Sequence, residues 1–201
     1  MESQKAETWR FASNDSSDLS VANRRSNGFL RDRQKSRPKG KERIVSQREY
    51  PIRPILGVAG VVFQGDAVLL ARRAQEPALG EWSLPGGVVE LGETLEAALE
   101  REVWEEVSVR MTVGGLVHLA ERIVLDAEER VQYHYVIADY WGWVIEGVPR
   151  AASDVSETLV LPLDRLDDIP LHEELLRVIH RGISLRRAAR ERTHGVAQVS
   201  R

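Results

Sequence analysis

From Thr94 to Val107 apolar residues recur at helical spacing, and the stripe they form changes character halfway along. At about 100° per residue, Leu95, Ala98, Leu99 and Val103 share one face, which has to be buried against another layer of the protein. One turn further on, Glu102 and Glu106 continue that same face and Glu105 flanks it, while Glu96, Glu100 and Trp104 point elsewhere. A helix over 94–107 therefore enters a core with its first half and delivers three carboxylates to the edge of that core with its second.

Carboxylates gathered on one side of a helix raise each other's pKa by repulsion, and partial burial makes ionisation harder still. A divalent cation resolves the conflict. All-oxygen donor sets suit hard ions such as Mg²⁺ or Mn²⁺, and magnesium keeps waters and shares its other positions with substrate phosphates. A solvated acidic face is the commoner use of such residues, but here the acids extend the buried stripe instead of opposing it. The turn Pro85-Gly86-Gly87 lies just before the helix. Its glycines allow close backbone approach and leave amides free to meet phosphate oxygens.

The segment Gly87–Val109 resembles the signature of the Nudix hydrolases, Gly-x5-Glu-x7-Arg-Glu-U-x-Glu-Glu-x-Gly-U with U apolar. Gly87, Glu93, Arg101, Glu102, Val103, Glu105, Glu106 and Val109 occupy the matching positions, and Ser108 stands where the pattern has glycine. Glycine at a helix end commonly takes the left-handed conformation, so Ser108 bears on helix termination and not on the metal ligands.

The rest of the chain is read around this helix. Ile55–Phe63 and Ala67–Ala71 flank a Gln-Gly-Asp turn and predict a hairpin, with Trp82–Leu84 a short strand into the glycine turn. Leu116–Leu125 and Val131–Ile145 supply further strands, Gly147–Glu157 a polar loop, Leu159–Leu163 a last strand, and Leu171–Ile183 a covering helix. The expected class is α/β, a mixed sheet between helices, and the resemblance implies the same α/β/α sandwich.

Charge divides the chain in three. Residues 1–50 carry 12 Lys or Arg against 7 Asp or Glu, with no sustained periodicity, and are expected to be a disordered basic extension. Residues 51–183 are expected to form the catalytic domain, and 184–201 a second basic tail. Basic arms on an acidic body could bind nucleic acid, a membrane surface or a neighbouring subunit, but solvated tails are the favoured reading: the expected partner is a small-molecule nucleotide, nucleic acid is not favoured and no membrane partner is expected. There is no cysteine, so no disulfide or thiolate site is available. No apolar leader or membrane span is legible either, and the cytoplasm is the expected location.

The resemblance implies hydrolysis of a nucleoside diphosphate linked to another moiety, with water attacking a pyrophosphate phosphorus. Glu102, Glu105 and Glu106 would hold the metal and Arg101 would orient a glutamate such as Glu93. Glu157, in Ser153-Asp-Val-Ser-Glu, is the candidate base in the loop position, with Asp154 its competitor. Arg72 and Arg73 are candidates to meet phosphate together with Gly86 and Gly87. Trp82, Tyr133 and Tyr135 either stack a base or pack the core. ADP-ribose or a related compound is the expected substrate. The alternatives are a pyrophosphohydrolase of nucleoside triphosphates, oxidised ones included, or of RNA 5′ ends, and a non-catalytic ligand-sensing module. The resemblance makes a homodimer possible and leaves the oligomeric state open.

Overall fold

A computed structural model describes residues 48–75 and 78–199, with side chains in the last helix described as far as Arg192. The reading of residues 1–50 as a disordered extension falls, but for 48–50, outside the described residues.

The hairpin forms as β1 (Ile55–Gln64) and β2 (Ala67–Arg73), with β3 (Trp82–Ser83) next along the chain. The glycine segment, read as a turn, is itself a strand, β4 (Gly86–Val88), paired antiparallel to Gly57–Ala59 of β1. Three residues are too few to show alternation, so only the pairing reveals them. Then come α1 (Leu95–Val107), β5 (Arg110–Leu125), β6 (Val131–Glu146), β7 (Val155–Pro162), a 3₁₀ segment (Leu163–Asp168) and α2 (Glu173–Val199).

These seven strands form one mixed sheet along the path β3-β2-β1-β6-β5, with β4 added to β1 and β7 to β2. The β1–β6 pairing is parallel over nine positions, and the other pairings are antiparallel. Each face carries its own core. On one side α1 lays Ala98, Leu99, Val103 and Val107 over Val58, Val62, Leu69 and Ala71. On the other α2 lays Val178 and Ile179 over Val61, Phe63, Val68 and Leu70. Strand alternation assigns the remaining residues of β1, β2 and β6 to one face or the other.

Three boundaries differ from the sequence reading. β5 starts at Arg110, six positions before Leu116, because Val109, Met111 and Val113 alternate into the α1 core ahead of a bulge at Gly114. β7 starts at Val155, so Glu157 lies in a strand opposite Arg72 and not in a loop. α2 does not stop at Ile183 but continues to Val199, with Arg and Ala, both good helix formers, filling the added turns. The first of these turns are no solvated tail. Arg186 is 9% exposed, donates to the Gly65 carbonyl at 2.7 Å and lies 4.6 Å from the Phe63 ring, which ties the helix to the β1–β2 turn. Gly182 lets α2 press against Val61, since a Cβ there would stand 2.9 Å from its methyl. No helix among the described residues is long and apolar enough to cross a membrane.

Candidate active site

The acid-bearing helix is fixed at both ends. Thr94 caps it, its hydroxyl accepting from the Ala97 amide at 3.1 Å. At the far end Ser108 adopts the left-handed conformation (φ 58°, ψ 32°) that glycine would take at lower cost, and its amide closes on the Trp104 carbonyl. The carbonyls of Glu106 and Val107, in the last turn of the helix, accept from Ala152 and Arg150, which stitches the loop before β7 to the helix end.

Arg101 organises the carboxylates. Its guanidinium grips Glu93 with two bonds of 2.8 and 2.9 Å, and donates to Glu102 at 2.8 Å, to Glu105 at 3.3 Å and to the Val88 carbonyl at 3.1 Å. Glu93 also accepts from the Glu90 amide. The bidentate grip, with that amide, draws the Glu93 carboxyl down to about 2 and raises Arg101. Glu102 goes the other way, because burial outweighs the contact with Arg101. Its side chain is 15% exposed, against 50% for Glu105, the carboxylate of the three most open to solvent.

Two glycines make room. A Cβ on Gly87 would stand 2.4 Å from the Glu102 carboxyl carbon, and one on Gly86 would stand 2.2 Å from the Val58 carbonyl oxygen. The Gly86 amide donates to Glu106 at 2.9 Å. Burial still pushes the Glu106 carboxyl up to about 7, with Glu102 and Asp154 adding to the rise and Arg73 opposing it. Arg73 and Asp154 thus belong to the Glu106 side of the site, and Asp154 further accepts from Gln75 at 2.9 Å.

This donor set fits a divalent cation. Glu102 and Glu106 are carboxylates that burial makes reluctant to ionise, Glu105 lies a turn away, and the space beside Glu102 is one that a single methyl would fill. Among the described residues no three acidic or histidine side chains are drawn together into a closed cage; magnesium, which keeps several of its waters, takes one or two carboxylates.

A second group forms elsewhere. Arg72 donates to Glu157 at 3.2 Å and to the Gly80 carbonyl at 2.8 Å, and its guanidinium lies 5.8 Å from the Trp82 ring. Arg72 follows Leu70 on the α2 side of β2, and Trp82 packs partly against the α2 core, so this group lies across the sheet from α1. The structure therefore brings together Glu93, Arg101, Glu102 and Glu105, sets Gly86, Gly87, Glu106 and Arg73 beside them, and keeps Arg72, Trp82 and Glu157 apart. Tyr133 and Tyr135 stack on each other, centroids 6.3 Å apart.

Sequence reasoning passed over Asp139 and His118. Asp139 is 6% exposed, and burial, with Glu174 nearby, pushes its carboxyl up to about 7. The His118 Nδ1 lies 3.5 Å from it and is buried without a hydrogen-bond partner. The available signal was an acid between Ala138 and Tyr140 in the otherwise apolar run from Val136 to Ile145.

A glycine strand beside an acid-bearing helix on a mixed sheet is an arrangement that fits a divalent cation. The sequence pattern of the NUDIX domain matches residues 53–181, and the chain belongs to the Nudix hydrolase family. It is 30% identical over 138 residues to the ADP-ribose pyrophosphatase of Methanocaldococcus jannaschii, a match covering 68% of this chain and 79% of that protein. It is 53% identical over 62 residues to a MutT-like protein of Streptomyces ambofaciens, where the match spans only 38% of the relative and 30% of this chain. Among solved structures, a MutT NUDIX hydrolase from Burkholderia pseudomallei superposes with a TM-score of 0.55 at 27% identity, covering 64% of this chain and 98% of that one. The NUDIX domain of Shewanella oneidensis NrtR complexed with ADP ribose does so with a TM-score of 0.51 at 25% identity, covering 70% and 89%.

Proposed function

We propose that this chain hydrolyses the pyrophosphate linkage of a nucleoside diphosphate derivative, ADP-ribose first among them, with Mg²⁺ or Mn²⁺ held by Glu102, Glu105 and Glu106. The observation that carries the reading is the single guanidinium of Arg101 holding Glu93, Glu102 and Glu105 beside the glycine strand. The pyrophosphatase relative and the ADP-ribose-bound NUDIX domain support the choice of substrate.

When bound, the cation neutralises charge on the phosphoryl oxygens and acidifies a coordinated water. The chain supplies the rest. Arg101 sets the direction of Glu102 and Glu105 and spends its strongest contact on Glu93, which stays ionised and acts as an anchor. Gly86 and Gly87 let the Val58 carbonyl and the Glu102 carboxyl lie against the glycine strand, which sets Glu102 beside the backbone that a diphosphate would approach. Arg73, on the Glu106 side, supplies positive charge to a phosphate. Glu157, held by Arg72 across the sheet, acts as a positioning residue for that arginine. Base duty falls to α1, where Glu105 is half exposed and held by one 3.3 Å contact.

The test is product analysis on ADP-ribose, NADH, diadenosine polyphosphates, nucleotide sugars, 8-oxo-dGTP and triphosphorylated RNA, each with Mg²⁺ and with Mn²⁺. The reading expects AMP and ribose 5-phosphate from ADP-ribose at the highest kcat/KM. Preferred release of pyrophosphate from a triphosphate would replace it with the triphosphatase alternative.

A further inference from the structure

Arg101 has nothing left for a phosphate. Each of its N–H groups is given to the protein, two to Glu93 and one each to Glu102, Glu105 and the Val88 carbonyl. Arg73 is placed to supply what Arg101 cannot. It follows Ala71 on the α1 side of β2, and its partner Val155 in β7 packs into the α1 core, so the two arginines serve the same face of the sheet.

What fixes Arg73 lies in the strand opposite. The β2–β7 register shifts between Arg72 and Arg73, with Arg72 facing Glu157 and Arg73 facing Val155, so Ser156 is an extra residue. This bulge sends Val155 into the α1 core and Glu157 to the α2 side with Leu159 and Leu161. Bulges re-aim side chains in this way next to active sites. On its other edge Arg73 donates its amide to the Glu81 carbonyl at 3.0 Å, and its carbonyl accepts from Gly80 at 2.9 Å. The two residues after it are both tied to Asp154: the Ala74 amide donates to the Asp154 carbonyl at 2.9 Å, and the Gln75 side-chain amide to the Asp154 carboxylate at 2.9 Å. Asp154 is tied in turn to the end of α1. The Ala152 amide donates to the Glu106 carbonyl at 2.9 Å, and the Val155 amide closes on the Ala152 carbonyl at 3.1 Å. Ser153 between them is left-handed, φ 50°, a strained conformation that persists because both flanks are pinned. A continuous run of contacts thus leads from the backbone of Glu106 through the turn 152–154 to Gln75 and Arg73.

We propose that Asp154 is a positioning residue that sets the reach of Arg73 toward the substrate diphosphate, acting through its hydrogen bond to Gln75 and the turn it completes, and not as a base or a metal ligand. This rests on the hydrolase reading for the identity of the ligand. Glu106 holds one end of the site and Arg73 the other, and the turn between them fixes their separation. A base or a metal ligand needs the charge of a carboxylate. The tie to Gln75 needs only an acceptor oxygen, which the side chain of asparagine also carries. The two roles therefore part on a single isosteric substitution.

The experiment pairs steady-state kinetics on ADP-ribose with Mg²⁺ and calorimetric binding of ADP without metal, using the full chain as wild type, Asp154→Ala, Gln75→Ala, the double variant and Asp154→Asn. Asp154→Ala and Gln75→Ala are each expected to raise KM and the ADP dissociation constant about three- to tenfold while kcat moves less than about twofold. The double variant is expected to be no worse than the weaker single one, because both remove the same contact. Asp154→Asn is expected to return both constants to within about twofold of the wild type. A fall in kcat of about 100-fold or more in Asp154→Asn would make the carboxylate a base or a ligand and overturn the inference. Additive effects of the two alanines, or an unchanged KM and ADP affinity in both, overturn it as well. Should Asp154→Ala fail to fold, Gln75→Ala and Asp154→Asn decide the matter by the same criteria. Wild type that binds ADP and cleaves nothing would sink the hydrolase reading, and the ADP affinities of the variants would then decide this inference alone; wild type that binds no ADP overturns it.

Discussion

Replacing Asp139 by asparagine raises the stability of the fold at neutral pH and flattens its pH dependence. In the unfolded chain this carboxyl releases its proton as pH passes 3.8, while burial in the fold retains the proton up to about 7. Between those values the unfolded state binds fewer protons than the native one, so stability falls as pH rises. Each pKa unit corresponds to about 1.4 kcal/mol, which sets a ceiling of ~4 kcal/mol on the loss by pH 8. Relaxation of the fold around the ionised carboxyl lowers the realised loss to ~2 kcal/mol. Asparagine has no proton to release and therefore escapes the loss. Urea unfolding of both proteins from pH 4.5 to 8 measures it, because groups common to both cancel in the difference. The advantage of Asp139→Asn is expected to be smallest near pH 4.5 and to grow by at least ~2 kcal/mol by pH 8. Parallel profiles would show that Asp139 ionises freely in the fold and would refute the reasoning.

Other perturbations test other parts of the account. Arg101→Ala is expected to lower turnover about 10- to 100-fold, as loss of groups that orient metal ligands does, and Arg101→Lys should recover little, since an ammonium cannot grip Glu93 with two parallel bonds; steady-state kinetics on both variants checks it. Ser108→Gly relieves a left-handed residue and should raise stability by ~0.5–1 kcal/mol after the entropy of the added glycine is subtracted, read as a higher melting temperature. Arg186→Ala removes a charged donor to Gly65 and a ring contact, and should cost ~2 kcal/mol in urea unfolding. No change would mean that the extension of α2 past Ile183 lies idle on the fold.

The parts of this structure that were legible in the sequence are those encoded locally. The α1 helix announces itself through its spacing of apolar residues and the acids that continue its buried stripe, and the β1–β2 hairpin through two apolar runs around Gly65. What was not legible depends on partners distant in sequence. Gly86–Val88 becomes a strand because β1 offers it a pairing partner, and the two glycines, a type depleted in strands, hide it from a reading of the sequence. Glu157 joins a strand because β2 pairs with it across 85 positions. The second half of α2 has sparse apolar residues, and its hold on the body comes through an arginine, a type that reads as solvated. His118 and Asp139 lie 21 positions apart, and only the bulged register of β5 on β6 sets them opposite one another.

The most direct test of the central claim, that the carboxylates ordered by Arg101 on α1 carry a metal-dependent hydrolysis, is the rate of ADP-ribose cleavage as Mg²⁺ is titrated into the wild type, Glu102→Gln and Glu106→Gln. The account predicts no cleavage without the ion, saturation as it is added, and in each variant a weaker response to metal together with a turnover reduced at least 100-fold while the fold is retained. Cleavage that proceeds without the ion, or variants that titrate like the wild type, would contradict it.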